Sequence, residues 1–163
     1  MNHFLPAAFF RWCVTTPVAH LIKQSMWGFA VLETIHIIGL TLLLGSIFVV
    51  NLAVLGGGMR QPAERFAKEA ARWGLAGFAL MICSGVPMFI SAATSYRASI
   101  PFLIKMMLLT ASLLLQFALY KVPGMYNGSA GGKIAACLSL VCWFGVAYSG
   151  RAIAFEVLFG PGS

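Results

Sequence analysis

Four long apolar stretches constrain the fold of this chain more than any other feature. They cover roughly residues 29–55, 73–95, 101–120 and 134–155. An α-helix needs about 20 predominantly apolar residues to cross a bilayer, and each stretch has that length. No strand-period alternation of apolar and polar residues competes with this pattern. We therefore predict an all-α integral membrane protein, a four-helix bundle whose outside faces lipid.

The composition agrees with a membrane location. Of the 163 residues 60% are hydrophobic and only 9% are charged, which is more apolar than a soluble domain of this size requires. The net charge of +7 raises the question of nucleic-acid binding, but the basic residues are spread along loop ends without accompanying aromatic clusters. We therefore expect the lipid bilayer with its anionic headgroups as the partner, and no nucleic acid.

The chain divides into three segments. Residues 1–28 lack a basic region followed by a continuous apolar run, so they do not resemble a cleaved signal peptide. Their mixture of aromatic and basic side chains predicts an N-terminal helix lying in the membrane interface. Residues 29–155 form the predicted bundle. Residues 156–163, EVLFGPGS, resemble a protease-cleavage tag followed by a Gly-Ser linker, and we interpret them as an expression-tag remnant.

The distribution of positive charge predicts the orientation in the membrane. Loops after the first and third apolar stretches carry Arg60, Arg65, Lys68, Arg72, Lys121 and Lys133. The opposite side carries Arg11, Lys23, Arg97, Lys105 and Arg151. Cytoplasmic loops are usually the more basic ones, so the modest excess places these loops in the cytoplasm. We therefore expect a multi-pass protein of the bacterial inner membrane with both termini in the periplasm.

Two local features predict departures from straight helices. Pro87 interrupts the second apolar stretch and predicts a kink, because proline removes a backbone hydrogen bond from the helix interior. Residues 63–72 precede that stretch and predict a short amphipathic helix on the cytoplasmic side.

The cysteines and methionines are most simply interpreted as packing residues. The four cysteines form no Cys-x-x-Cys pair, and three lie inside apolar stretches, where cysteine usually serves as a small packing residue. Met81, Met88, Met106 and Met107 are numerous enough to suggest copper(I) binding. Methionine more often fills irregular space in a core, and we favour that interpretation.

Glu33 and His36 are harder to explain by packing alone. An ionisable side chain inside a bilayer costs on the order of 3 kcal/mol, so it usually faces the bundle interior and has a partner. Their separation of three residues puts both on one helix face. Lys105 and Arg151 are expected at the same depth. Four polar side chains from three helices are thus predicted to converge in one layer.

That layer has two interpretations. In the structural one, Glu33 pairs with Lys105 or Arg151 and locks the bundle, while His36 makes a hydrogen bond. In the functional one, the layer binds haem b, whose iron accepts an imidazole and whose propionates need cations. His36 is then an axial ligand, with His20, a methionine or an open position opposite it.

The remaining residues of the predicted haem site have supporting roles. Lys105, Arg151 or Arg97 would hold the propionates. Gly39 and Gly45 would let the flat macrocycle approach the first helix closely.

Several segments carry a family resemblance: residues 25–56, 73–96, 101–121 and 145–155. They resemble an uncharacterised bacterial family of small four-span membrane proteins, known only as a domain of unknown function, over about residues 15–155. The resemblance implies that the ETIH segment, the lysine after the short outer loop and the GRAIAF ending recur in the family. These map to Glu33, His36, Lys105 and Arg151, so this layer is implied to be the family's site.

The chain departs from the family pattern at the other side of the membrane. Where the resemblance implies an aspartate near the inner end of the first span, this chain has Asn51. Where it implies a histidine near the inner end of the third span, residues 116–120 hold none. A second haem on the inner side is therefore not expected. A more distant similarity, in size and span count, is to four-span haem-binding protoporphyrinogen oxidases and copper-resistance membrane proteins.

Two classes of function remain open from the sequence. The first is a b-type haem protein that transfers electrons between a quinol and a periplasmic redox protein, or oxidises a small substrate on the outer side. The second is a non-redox protein: a copper-handling protein, a small-solute transporter or a structural subunit of a larger complex. A homo-oligomer is compatible with both.

Overall fold

A computed structural model describes residues 7–56, 63–97, 99–122, 125 and 129–159, without the side chains of 63–67, 154 and 156–159. This part of the chain contains six α-helices. They are α1 (Ala7–Val14), α2 (Pro17–Gln24), α3 (Gly28–Leu55), α4 (Ala63–Tyr96), α5 (Ile100–Lys121) and α6 (Ala130–Phe159). The last four are long and apolar enough to cross a membrane. The predicted all-α bundle is confirmed.

The N-terminal segment contains two short helices where the sequence suggested one. The Thr16 side chain caps α2 by accepting a hydrogen bond from the backbone N–H of Ala19, and Pro17 occupies the first position of that helix. Proline is favourable there but cannot continue a preceding helix, so α1 ends just before it. Phe10 and Cys13 of α1 are buried against Ala93 of α4.

Helix α4 differs from the prediction in two ways. It begins at Ala63, so the predicted short helix at 63–72 is continuous with the membrane-spanning part. The kink was predicted at Pro87, but the backbone of α4 departs from helical angles at Ala92 (φ −121°, ψ 21°), five residues later. An interior proline removes one helix hydrogen bond and crowds the preceding turn, but the non-helical φ and ψ angles are at Ala92 and not at Pro87. The irregularity instead coincides with the place where α1 packs on α4.

The long helices pack as a row in which α4 contacts α3, α3 contacts α6, and α6 contacts α5. The tightest crossing joins α3 to α4 at two glycines. A Cβ on Gly39 would lie 2.9 Å from the Gly77 carbonyl oxygen, and one on Gly77 would lie 2.6 Å from the Gly39 oxygen. Such close approach through small residues is typical of membrane helices. The central core contains Leu43, Ile47, Met81, Trp143 and Val146.

The two ends of the bundle contain different polar groups. The end at which α3 and α5 begin and α4 and α6 finish is called the His36 end. The opposite end, where α3 ends at Leu55 and α6 begins, is called the Asn51 end. Large apolar side chains such as Phe48, Leu114 and Phe144 are exposed around the bundle, as expected for a surface that faces lipid.

Candidate functional site

His36 is held by a hydrogen bond across the interface between α3 and α4. Its Nδ1 lies 3.0 Å from Ser84 Oγ, and that oxygen lies 2.6 Å from the backbone carbonyl of Leu80. A serine hydroxyl has one hydrogen, and the short contact to the carbonyl uses it. When the hydroxyl donates to that carbonyl, Ser84 Oγ accepts from His36, and in this tautomer Nδ1 carries the proton and Nε2 carries the lone pair.

Close packing explains why His36 sits against this part of α4. A Cβ on Gly85 would lie 3.0 Å from the His36 Cε1 atom, so glycine provides the space that the imidazole occupies. Ser84 itself is buried, and His36 is half-buried. Fixing a histidine by one ring nitrogen is how proteins orient the other nitrogen toward a ligand.

Lys105 is a cationic side chain that interacts with His36. It is half-buried on α5, and its ammonium interacts electrostatically with the imidazole. A Cβ on Gly150 of α6 would lie 3.6 Å from Lys105 Nζ, so the missing side chain leaves room for the lysine head. Within the described part of the chain, no carboxylate oxygen lies within 4.0 Å of that nitrogen. His36 and Lys105 are thus within electrostatic range of each other.

Glu33 and Arg151 do not join this cluster, and the predicted ion pair is absent among the described residues. Glu33 is exposed, and the ionisable group with which it interacts electrostatically is Tyr96. Arg151 is exposed on α6, with its guanidinium carbon 5.2 Å from the centre of the Phe155 ring. The sequence predicts depth in the membrane but not the rotation of a helix about its axis, and the rotation leaves both side chains exposed rather than packed with His36 and Lys105.

Three other predicted site residues have distinct surroundings. Arg97 is half-buried, and its Nε is buried without a hydrogen-bond partner in the described residues. His20 is exposed on α2, and no described contact joins its ring to His36. Gly39 is buried in the crossing of α3 and α4, where the α4 backbone occupies the space that a macrocycle would need. Gly45 is exposed and has no neighbouring atoms within 4 Å of an added Cβ.

Aromatic rings connect α4 to α5 at the His36 end. The rings of Phe89, Tyr96 and Phe102 are nearly parallel, with centroids 5.1 to 5.9 Å apart. Apart from this contact, α4 and α5 are not among the closely packed helix pairs. The two helices are therefore linked mainly by ring stacking near the site.

Only part of the packing interpretation of the sulfur-containing residues holds. Cys13 and Met81 are buried, whereas Met106 and Met107 are exposed. All four cysteines are free, and Cys83 and Cys137 are exposed on the lipid-facing surface. Among the described residues, no group of three or more His, Cys, Asp or Glu side chains is placed to hold a metal ion.

A second polar cluster occupies the Asn51 end. Asn51 Nδ2 donates to Ser139 Oγ over 3.2 Å, and Ser139 Oγ donates to Gln116 Oε1 over 3.1 Å. All three side chains are buried, and they join α3, α6 and α5. The described side chains at the Asn51 end thus form an uncharged hydrogen-bonded network that joins three helices.

Sequence reasoning missed Ser84 and Ser139. Serine is common in membrane helices, so neither residue is conspicuous by type. The sequence feature that could have indicated Ser84 is its position beside Gly85, one turn before Pro87 and Met88. A small residue at that place allows the close helix packing that a histidine in a neighbouring span requires.

Comparison with known proteins adds a family but no activity. Residues 9–156 match the family described as a family of unknown function, DUF6644, and the chain belongs to it. No curated protein matches the chain. No solved structure matches it either.

Proposed function

We propose that this family member is a membrane-embedded b-type haem protein in which His36 is an axial ligand of the iron. The observation that carries the proposal is the pair of consecutive hydrogen bonds that links His36 Nδ1 to Ser84 Oγ and Ser84 Oγ to the Leu80 carbonyl. It leaves Nε2 with a lone pair on an imidazole whose orientation is fixed. Metal-binding histidines almost always donate their other ring N–H in this way.

The cations near the His36 end fit the rest of a haem. Haem supplies redox chemistry through its iron and carries two propionates that need positive partners. Lys105 interacts electrostatically with His36 and has no carboxylate partner within 4.0 Å in the described chain. Arg97 has a buried Nε without a described partner, and an unpaired buried donor is costly unless a ligand satisfies it. We assign these two residues to the propionates.

A methionine of α4 would supply a second ligand to the iron, or that position would stay open to a small substrate. His20, the other ligand considered, is exposed on α2 without a described contact to His36. Met81 and Met88 precede and follow Ser84 by three and four residues, so all three share one face of α4. Thioether sulfur is an established axial ligand that raises the potential of a haem.

We further propose that the site operates at the periplasmic side of a bacterial inner membrane. The support is the modest excess of basic residues at the Asn51 end, because the more basic side of a membrane protein is usually cytoplasmic. Electrons would then pass between a quinol in the bilayer and a periplasmic redox protein, or to a small molecule at the His36 end.

The test is an absorption spectrum of the purified protein in its oxidised and reduced forms, made in haem-replete cells. A Soret band that shifts on reduction supports the proposal. A colourless protein that also fails to bind added haemin would contradict it and would favour a non-redox role in transport, copper handling or assembly.

A further inference from the structure

An apolar groove runs between α3 and α6 on the outside of the bundle. Its volume is about 430 Å³. Its lining residues are Thr41, Leu44, Gly45, Ile47, Phe48, Leu140, Trp143 and Phe144. Thr41 lies near the midpoint of α3 (Gly28–Leu55), so the groove is close to the centre of the bilayer.

Two unpaired opposite charges flank this groove toward the His36 end. Glu33 shares a helical stripe with Leu44 and Phe48 of the groove, because it precedes them by 11 and 15 residues. Arg151 shares a stripe with Leu140 and Phe144, which it follows by 11 and 7 residues. Neither charge has an ion-pair partner within 4.0 Å among the described residues.

The depths of these charges match one leaflet of a membrane. Glu33 lies eight residues before Thr41, and Arg151 seven residues after Phe144, which places the charges about 10 to 12 Å from the groove along the helix axes. The Arg151 guanidinium carbon lies 5.2 Å from the centre of the ring of Phe155, one turn nearer the membrane surface. Half of the hydrocarbon core is about 15 Å thick, so both side chains reach the headgroup region.

We propose that the groove binds one phospholipid whose headgroup carries a phosphate and a primary ammonium, with an acyl chain along the floor of the groove. Arg151 pairs with the phosphate, since guanidinium groups bind phosphate by parallel hydrogen bonds. Glu33 accepts hydrogen bonds from the ammonium. A quaternary ammonium has no N–H to donate, so a choline headgroup satisfies Glu33 less well.

A second copy of the chain fits the groove less well than a lipid does. A two-fold contact brings the same face of each copy together, so two concave grooves would face each other and remain unfilled. A flexible acyl chain, in contrast, fills a concave apolar surface without needing a protruding partner. The charges at the groove end also complement both halves of a zwitterionic headgroup.

The test measures lipid retention by native mass spectrometry. The purified full chain is equilibrated with mixed micelles holding equal amounts of phosphatidylethanolamine and phosphatidylcholine. One phosphatidylethanolamine is expected per chain. Glu33→Gln should reduce its preference over phosphatidylcholine about tenfold, the effect of one charge-assisted hydrogen bond. Arg151→Gln should weaken retention of both lipids.

A pair of variants separates groove filling from general damage. Gly45→Leu adds bulk where no atom lies within 4 Å, so the bundle should fold while the acyl chain is displaced. Ala79→Leu adds the same bulk on an exposed face of α4 and should leave retention unchanged. The proposal is overturned if the wild-type chain retains no lipid or if Glu33→Gln leaves the headgroup preference intact. A lipid-free dimer that Arg151→Gln dissociates would also overturn it, in favour of a second copy.

Discussion

His36 and Ser84 face each other across the α3–α4 interface, with the imidazole Nδ1 3.0 Å from the serine hydroxyl oxygen. Because the same hydroxyl lies 2.6 Å from the Leu80 carbonyl, it acts as an acceptor toward the histidine. The Ser84 hydroxyl thereby favours the Nδ1-protonated tautomer of the single histidine inside a membrane span and holds its ring against α4. The proposed haem site depends on this relationship more than on any other contact.

Removing the Ser84 hydroxyl should weaken both the fold and the site. In Ser84→Ala, the His36 Nδ1–H loses its partner, which should reduce the free energy of unfolding by about 1–2 kcal/mol. Thermal unfolding in detergent measures this loss, and haem retention measures the effect on the ring. Ser112→Ala is the matched control, because Ser112 is also buried but bonds only to Leu108 of its own helix. Equal effects in the two variants would argue against a special role of Ser84.

The crossing of α3 and α4 should tolerate no added methyl group. In Gly77→Ala, the new Cβ would lie 2.6 Å from the Gly39 oxygen and the Leu43 nitrogen, so the helices must separate. We expect a loss of about 1–3 kcal/mol, typical of overpacking. Gly45→Ala gains the same helix propensity, but its new Cβ would have no atom within 4 Å. It should be neutral or stabilising, and a larger loss in Gly45→Ala than in Gly77→Ala would be inconsistent with this packing.

The network at the Asn51 end should respond to removal of its central hydroxyl. Ser139→Ala leaves Asn51 Nδ2 and Gln116 Oε1 buried without their described partner, at a cost of about 1–2 kcal/mol. The control is Ser149→Ala, because Ser149 is buried on the same helix but bonds only to the Gly145 carbonyl. Unfolding in detergent should show a lower midpoint for Ser139→Ala alone. Identical midpoints would mean that the network contributes little to holding the three helices together.

The predicted orientation can be checked by labelling single cysteines in a background without the four native ones. With both termini in the periplasm, Lys23→Cys should react with an impermeant maleimide added to intact cells. Arg65→Cys should react only after the membrane is opened. Labelling of Arg65→Cys in intact cells would reverse the orientation and move the His36 end to the cytoplasm.

The helices were predictable because apolar length alone identifies a span. The four predicted stretches correspond to α3, the later part of α4, α5 and α6. The early start of α4 was missed as a continuous helix because residues 63–72 are amphipathic, and hydropathy marks the end of the apolar run rather than the end of the helix.

The candidate site was predictable only in part. His36 was found because an ionisable side chain in a span is costly, and Lys105 because it lies at a similar depth. Their placement also depends on helix rotation, which is set by contacts such as Gly39 with Gly77 and by the fit of the histidine over Gly85. Those contacts join residues distant in sequence. For the same reason, the ion pair expected between Glu33 and Lys105 or Arg151 is absent among the described residues.

The central claim is tested most directly by the visible spectra of three proteins purified from haem-replete cells: the wild type, His36→Ala and His20→Ala. If His36 ligates the iron, the wild type shows a Soret band, His36→Ala loses it or shifts it strongly, and His20→Ala retains it. The account is contradicted if the wild type has no Soret band, or if His36→Ala, shown to be folded by circular dichroism, keeps the wild-type spectrum.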